Sequence, residues 1–213
     1  MKSLREIYER YDTDHALQHT RADMMVPLVP NLPTQVKHNP GSDKGTTHSY
    51  IEFYEELLAP YRHTARHVLE IGIMAGSSLR MWEEYFTAAS VHGIDATGHP
   101  MGYFVLAPMM QEGTHHISIM DATSPTEVET EFKDVLFDVI IEDAQHTLTQ
   151  QLAIYDAFRS HLAPGGIYII EDVENIDRDR LILEVIDPDR RVEVVDRRPA
   201  KNRFDDVLVI IRN

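Results

Sequence analysis

Three acidic residues carry the densest chemical signal in this chain. Asp143 closes the run Phe137-Asp138-Val139-Ile140-Ile141-Glu142, and Glu171-Asp172 closes Gly166-Ile167-Tyr168-Ile169-Ile170. The two ends lie 28 residues apart, room for one crossover helix between parallel strands. Neighbouring strands sit about 4.8 Å apart, so carboxylates at their carboxyl ends converge. Converging carboxylates repel unless a cation lies among them. A hard divalent ion with oxygen ligands, such as Mg²⁺, is the economical one. Asp143, Glu171 and Asp172 are therefore the predicted metal ligands.

A second group points to a nucleotide. Glu70-Ile71-Gly72-Ile73-Met74-Ala75-Gly76-Ser77-Ser78 follows an apolar run and opens a helix. Gly72 permits a tight turn and Gly76 a close backbone approach. The dinucleotide fingerprint G-x-G-x-x-G is broken, because Met74 and Ser77 occupy its later glycine positions. That disfavours a nicotinamide oxidoreductase. Asp95 ends the next strand, where an acidic residue accepts hydrogen bonds from ribose hydroxyls. Asp121 follows the third strand, placed for a polar contact near an adenine ring. Taken singly, these residues have plainer uses as turn glycines and helix caps; the joint placement is what points to a site.

The elements that must position them are readable from periodicity. Helices are predicted over 3–11 and 48–60, the second with Tyr50, Phe53, Tyr54, Leu57 and Leu58 on one apolar stripe. Between them, Pro27, Pro30, Pro33, Pro40 and Gly41 mark an irregular arm. Residues 12–47 are expected to form a mobile cover over the site. From 66 onward strands at 67–71, 91–95, 115–119, 137–142, 167–171, 191–196 and 206–211 alternate with helices at 77–86, 103–111, 148–161 and 178–186 and with one that Ser124 opens as N-cap. This pattern predicts an α/β fold with a doubly wound, mostly parallel sheet. A short link between the last two strands places one antiparallel strand near the C-terminus. Two regions are expected: 1–60, helices and arm, and 61–213, the nucleotide-binding domain.

Composition narrows the class. The 213 residues carry a formal charge of −15, which argues against nucleic acid or an anionic membrane as main partner. No cysteine is present, so disulfides, zinc–thiolate sites and thiol nucleophiles are excluded. The start lacks the apolar core of a signal peptide, and no apolar run reaches the ~20 residues that span a bilayer. A cytoplasmic location is expected, and homo-oligomerisation is left open.

Several segments together resemble the sugar O-methyltransferases of macrolide and related natural-product pathways, the macrocin and mycinamicin group. They are Ser42-Asp43-Lys44-Gly45-Thr46-Thr47-His48-Ser49-Tyr50, the Leu69-Glu70-Ile71-Gly72 turn with Gly76-Ser77-Ser78-Leu79-Arg80-Met81-Trp82, and Gly93-Ile94-Asp95. Ile141-Glu142-Asp143-Ala144-Gln145-His146 and Pro164-Gly165-Gly166-Ile167-Tyr168-Ile169-Ile170-Glu171-Asp172 complete the set. The family commonly has Asp-Asp-Gly-Ser-His where this chain has Glu142-Asp143-Ala144-Gln145-His146. The resemblance implies S-adenosylmethionine as methyl donor, Mg²⁺, and a small-molecule acceptor, the hydroxyl of a sugar or glycoside. It assigns Asp143, Glu171 and Asp172 to the metal and His146 to the general base. Glu70, Gly72, Asp95 and Asp121 match the donor site. With Gly76 and Ser77 of the turn, Asp143, and Lys44 as a bridge to the donor or acceptor, they make the predicted cofactor-binding set. A catechol-like or other vicinal diol would chelate the metal equally well, and a non-catalytic nucleoside-binding module is the alternative of another class.

Overall fold

The short β-branched runs become the strands of one seven-stranded sheet in the computed structural model, which describes residues 1–12, 42–74, 76–96 and 116–213. These are β1 (His67–Ile71), β2 (Ser90–Asp95), β3 (His116–Ile119), β4 (Phe137–Glu142), β5 (Leu162–Ile170), β6 (Arg191–Asp196) and β7 (Val207–Arg212). Their order is β3-β2-β1-β4-β5-β7-β6. Strands β1 to β5 pair in parallel, while β7 runs antiparallel to both β5 and β6. The doubly wound sheet with a reversed strand near the C-terminus is as expected. The predicted arm between 13 and 41, the helix at 103–111 and His115 lie outside the described residues.

Helices cover both faces: α1 (Leu4–Asp12), α2 (Tyr50–Leu58) and α3 (Ser77–Tyr85) on one, α4 (Pro125–Phe132), α5 (Leu148–Phe158) and α6 (Ile176–Glu184) on the other; α7 (Arg198–Lys201) links β6 to β7. Successive strand residues point to opposite faces, and the core divides accordingly. Ile167 and Ile169 pack with Val139, Ile141 and Trp82, whereas Tyr168 and Ile170 pack with Ile140, Phe158 and Leu183. Central strands buried on both faces read as continuous apolar runs, which is why β1, β4 and β5 were visible in the sequence. Leu4, Ile7, Tyr50 and Tyr54 belong to the same cluster as Val68 and Ile141, so α1 and α2 share the core of the sheet.

Local differences have local causes. Pro60 does not stop the second helix outright, because a 3₁₀ turn, Ala59–Tyr61, accommodates it. Strand β5 begins at Leu162, ahead of the predicted turn, through a register shift opposite Phe137 and Val139. His48 and Tyr50, read as facing opposite ways, are both buried and stacked at 4.8 Å. No helix among the described residues is long and apolar enough to cross a membrane.

Candidate active site

Hydrogen bonds continue past the strand ends and fasten the carboxyl-end loops to one another. Gly72 N donates to Ile94 O at 2.8 Å, Asp143 N to Ile71 O at 2.8 Å, Met120 N to Asp95 O at 3.0 Å, and Glu171 N to Glu142 O at 2.9 Å. The ends of β1 to β5 thereby border one cleft of about 510 Å³, within the range of small-molecule sites. Gly72, Ser77, Asp95, Asp121, Asp143, His146 and Asp172 line it. Lys44, Glu70, Gly76 and Glu171 lie buried behind it.

At the outer end, the turn after β1 depends on glycine. Gly72 has φ +91°, and a Cβ there would stand 2.1 Å from Asp143 O. Gly76 takes φ +74° at the cap of α3. Met74, standing where the fingerprint has its second glycine, also takes a left-handed φ of +43°. Its N–H donates to Asp95 Oδ2 at 2.8 Å, while Ala96 N donates to Asp95 Oδ1 at 2.8 Å. Asp121 accepts from Thr123 N and Oγ1, and these bonds hold its carboxyl below the usual range. Each carboxylate oxygen offers more than one lone pair, so both residues retain acceptor capacity toward the cleft.

The inner end holds a cation of the chain's own. Lys44 Nζ donates to Asp143 Oδ2 at 2.6 Å and Glu171 Oε2 at 2.7 Å, with Glu70 Oε1 at 3.3 Å. Burial alone would depress the ammonium, but Asp143, Glu171 and Glu70 outweigh it and hold its pKa well above the ordinary value. Asp143 is held low: burial opposes its charge, yet Lys44 and then His146 prevail. Burial pushes Glu70 and Glu171 upward despite Lys44. Lys44, expected as a bridge to donor or acceptor, has its ammonium among the carboxylates of Asp143, Glu171 and Glu70. The segment carrying it is pinned as well. Lys201 Nζ donates to the carbonyls of Gly45, Thr46 and His48, and Tyr8 Oη to Ser42 O.

Asp143, His146 and Asp172 bring ligand atoms within 4.8 Å of one another at the cleft wall. His146 Nε2 stands 3.5 Å from Asp143 Oδ1 and 3.8 Å from Asp172 Oδ2. The neighbouring Asp143 carboxylate, against the effect of burial, pushes the imidazole up to about 9. Burial, then Asp143, pushes Asp172 up to about 6. Two carboxylates with an oxygen each toward the cleft suit a hard divalent cation. Glu171 stands apart from this group: Tyr54 Oη donates to its Oε1 at 2.7 Å and Lys44 holds the other oxygen. A second grouping, His48, Asp172 and Asp205, is wholly buried, and Arg203 already lies 2.7 Å from Asp205 Oδ1.

Sequence reasoning passed over Tyr50 and Tyr54, which it read as apolar. Tyr50 Oη donates to Asp172 Oδ1 at 2.7 Å. Burial, and then Asp172, holds its hydroxyl far above the usual phenol range, so it remains a donor. The signal available was spacing: tyrosines at i and i+4 put two hydroxyls on one helix face.

A sheet of this order with its cleft at the carboxyl ends defines the class I methyltransferase fold. The chain covers 100% of itself and 55% of a MycE methyltransferase from the mycinamycin pathway, solved with Mg and SAH, at TM-score 0.64 and 18% identity. It covers 94% of itself and 92% of an O-methyltransferase from Bacillus cereus, solved with SAH, at TM-score 0.62 and 18% identity. Residues 69–173 match the family model described as a methyltransferase domain. More particularly, it is similar to sugar O-methyltransferases. The 8-demethyl-8-alpha-L-rhamnosyl tetracenomycin-C 2'-O-methyltransferase of Streptomyces olivaceus is 30% identical over 63% of this chain and 35% of the relative. Demethylmacrocin O-methyltransferase of Streptomyces fradiae is 28% identical over 61% and 33%, and mycinamicin VI 2''-O-methyltransferase of Micromonospora griseorubida 27% over 61% and 32%. The chain spans about a third of the length of these curated relatives.

Proposed function

We propose that this chain transfers a methyl group from S-adenosylmethionine to a hydroxyl of a sugar or glycosylated natural product, assisted by a divalent cation such as Mg²⁺. The observation that carries this reading is the single cleft with Asp95 and Asp121 at one end and Asp143, His146 and Asp172 at the other. The relatives' names, rhamnosyl tetracenomycin and mycinamicin VI among their substrates, support a glycosidic acceptor. Bound by Asp143 and Asp172, with Glu171 behind them, the cation would serve as Lewis acid toward the acceptor hydroxyl and ease its ionisation.

The chain's own residues supply the rest. Asp95 offers carboxylate oxygens to ribose hydroxyls, with Asp121 near the base, and Gly72 lets the turn after β1 pack against the Asp143 backbone. Holding donor and acceptor at near-attack distance is worth much of the rate. His146 takes the hydroxyl proton at Nε2, which requires a neutral imidazole. With Asp143 unshared, that imidazole stays protonated up to about pH 9. Positive charge on Asp143 competes with the imidazolium for the same carboxylate and lowers its pKa. Turnover therefore falls as pH drops through that lowered value.

The test is methyl transfer from S-adenosylmethionine to a rhamnosyl or deoxysugar glycoside. Activity is expected to vanish in excess chelator and return with Mg²⁺. Full activity in chelator refutes the cation role, and absence of S-adenosylmethionine binding refutes the reading as a whole.

A further inference from the structure

Each acidic side chain at the inner end is gripped from behind by the segment 44–54. Lys44 holds Asp143 Oδ2, Lys44 and Tyr54 hold the two oxygens of Glu171, and Tyr50 holds Asp172 Oδ1. The oxygens left over are Asp143 Oδ1 and Asp172 Oδ2, and both are near His146 on the cleft side. We infer that the Tyr50 hydroxyl is a positioning group for the cation site, fixing Asp172 so that its Oδ2 is presented to the cleft. The inference rests on the divalent-cation reading above.

Two observations require such a grip at Asp172 in particular. Its backbone lies in the left-handed region, φ +54°, a conformation that a non-glycine residue keeps only when its surroundings hold it. Its ring partner is also immobile. Tyr50 is 0% exposed, stacks on His48 at 4.8 Å and meets Tyr54 in a tilted contact at 5.9 Å, ring centre to ring centre. A buried phenol packed in this way delivers its O–H to one point. The bond to Asp172 is 2.7 Å, and a second acceptor, Asp205 O, is farther away at 3.3 Å. Partners that orient metal-binding carboxylates typically account for about 10–100-fold in metal affinity.

Tyr155 supplies the control. It is equally buried, and its hydroxyl donates to a carboxylate, Asp187 Oδ2, at 2.6 Å, but it stands outside the acidic group. Mn²⁺ is the probe, titrated by electron paramagnetic resonance into the full chain, Tyr50→Phe and Tyr155→Phe. Melting in chelator and calorimetry with S-adenosylhomocysteine accompany each. Tyr50→Phe is expected to bind Mn²⁺ about 10–100-fold more weakly with S-adenosylhomocysteine affinity within about twofold. Tyr155→Phe is expected to lose melting temperature and keep its Mn²⁺ affinity. Equal Mn²⁺ affinity in Tyr50→Phe and the unmodified chain overturns the inference, as does an equal loss in both variants. An unmodified chain that takes up no Mn²⁺ refutes instead the cation reading beneath it.

Discussion

The two ends of the cleft are built by different means. Asp95 and Asp121 at the outer end are held mostly by near neighbours, Ala96 one residue on and Thr123 two residues on, with Met74 of the turn after β1, 21 residues back, as the farthest. Asp143, Glu171 and Asp172 at the inner end are held by Lys44, Tyr50 and Tyr54, between 99 and 127 residues away in the chain. The outer end is half open and its bonds compete with water. At the inner end Lys44, Tyr50, Tyr54 and Glu171 are buried, so the bonds among them replace solvation that water does not readily restore.

Lys44 breaks the comparison most severely. Removing one partner of a buried ion pair costs about 3–5 kcal/mol, and here Lys44→Met strands three carboxylates. Denaturant unfolding should show that loss, and a change below about 1 kcal/mol would mean the cluster neutralises itself by protonation. His146 comes next. If it is the base, His146→Ala lowers turnover by about 10²–10⁴-fold while melting in chelator stays close to that of the unmodified chain. Near-normal turnover at saturating acceptor would assign the proton elsewhere.

At the outer end the effects should be smaller and confined to binding. Asp95→Ala is expected to weaken S-adenosylhomocysteine by roughly 1.5–3 kcal/mol, the worth of hydrogen bonds to a charged group, with Mn²⁺ affinity unchanged. Calorimetry decides, and a loss of Mn²⁺ binding would show that the two ends are coupled.

The smallest effect lies toward the amino ends of β1, β2 and β3. His92 sits 3.3 Å from His67 and stacks on His116, and burial, then His116 and His67, pushes it down to about 4. The folded chain therefore refuses a proton that the unfolded chain accepts near pH 6.5. Its contribution to stability is complete above about 6.5 and is lost as pH falls towards 4. Melting temperatures across that window should fall less steeply in His92→Gln, and identical slopes would exclude His92 as the cause.

Much of this protein could be read from its residues alone. Apolar runs such as Val139-Ile140-Ile141 and Ile167-Tyr168-Ile169-Ile170 declared buried strands, and Ser124 before Pro125 declared a helix start, later seen as the cap that accepts from Glu127 N at 3.4 Å. Those signals are local: periodicity and capping act over a few residues, and strand alternation with helices sets the order of the sheet. Asp95, Asp121, Asp143, His146 and Asp172 were legible for the same reason, since a strand end is a local address that parallel pairing turns into a shared cleft. Three things required the folded chain. Lys44 carries no mark in sequence that it will be buried among carboxylates, because its partners come from other strands. Tyr50 and Tyr54 read as apolar until the folded chain brought Asp172 and Glu171 to their hydroxyls. And Glu171, beside Asp172 in sequence, was placed apart from it by long-range packing, which turned one carboxylate inward to an ammonium and left the other facing the cleft.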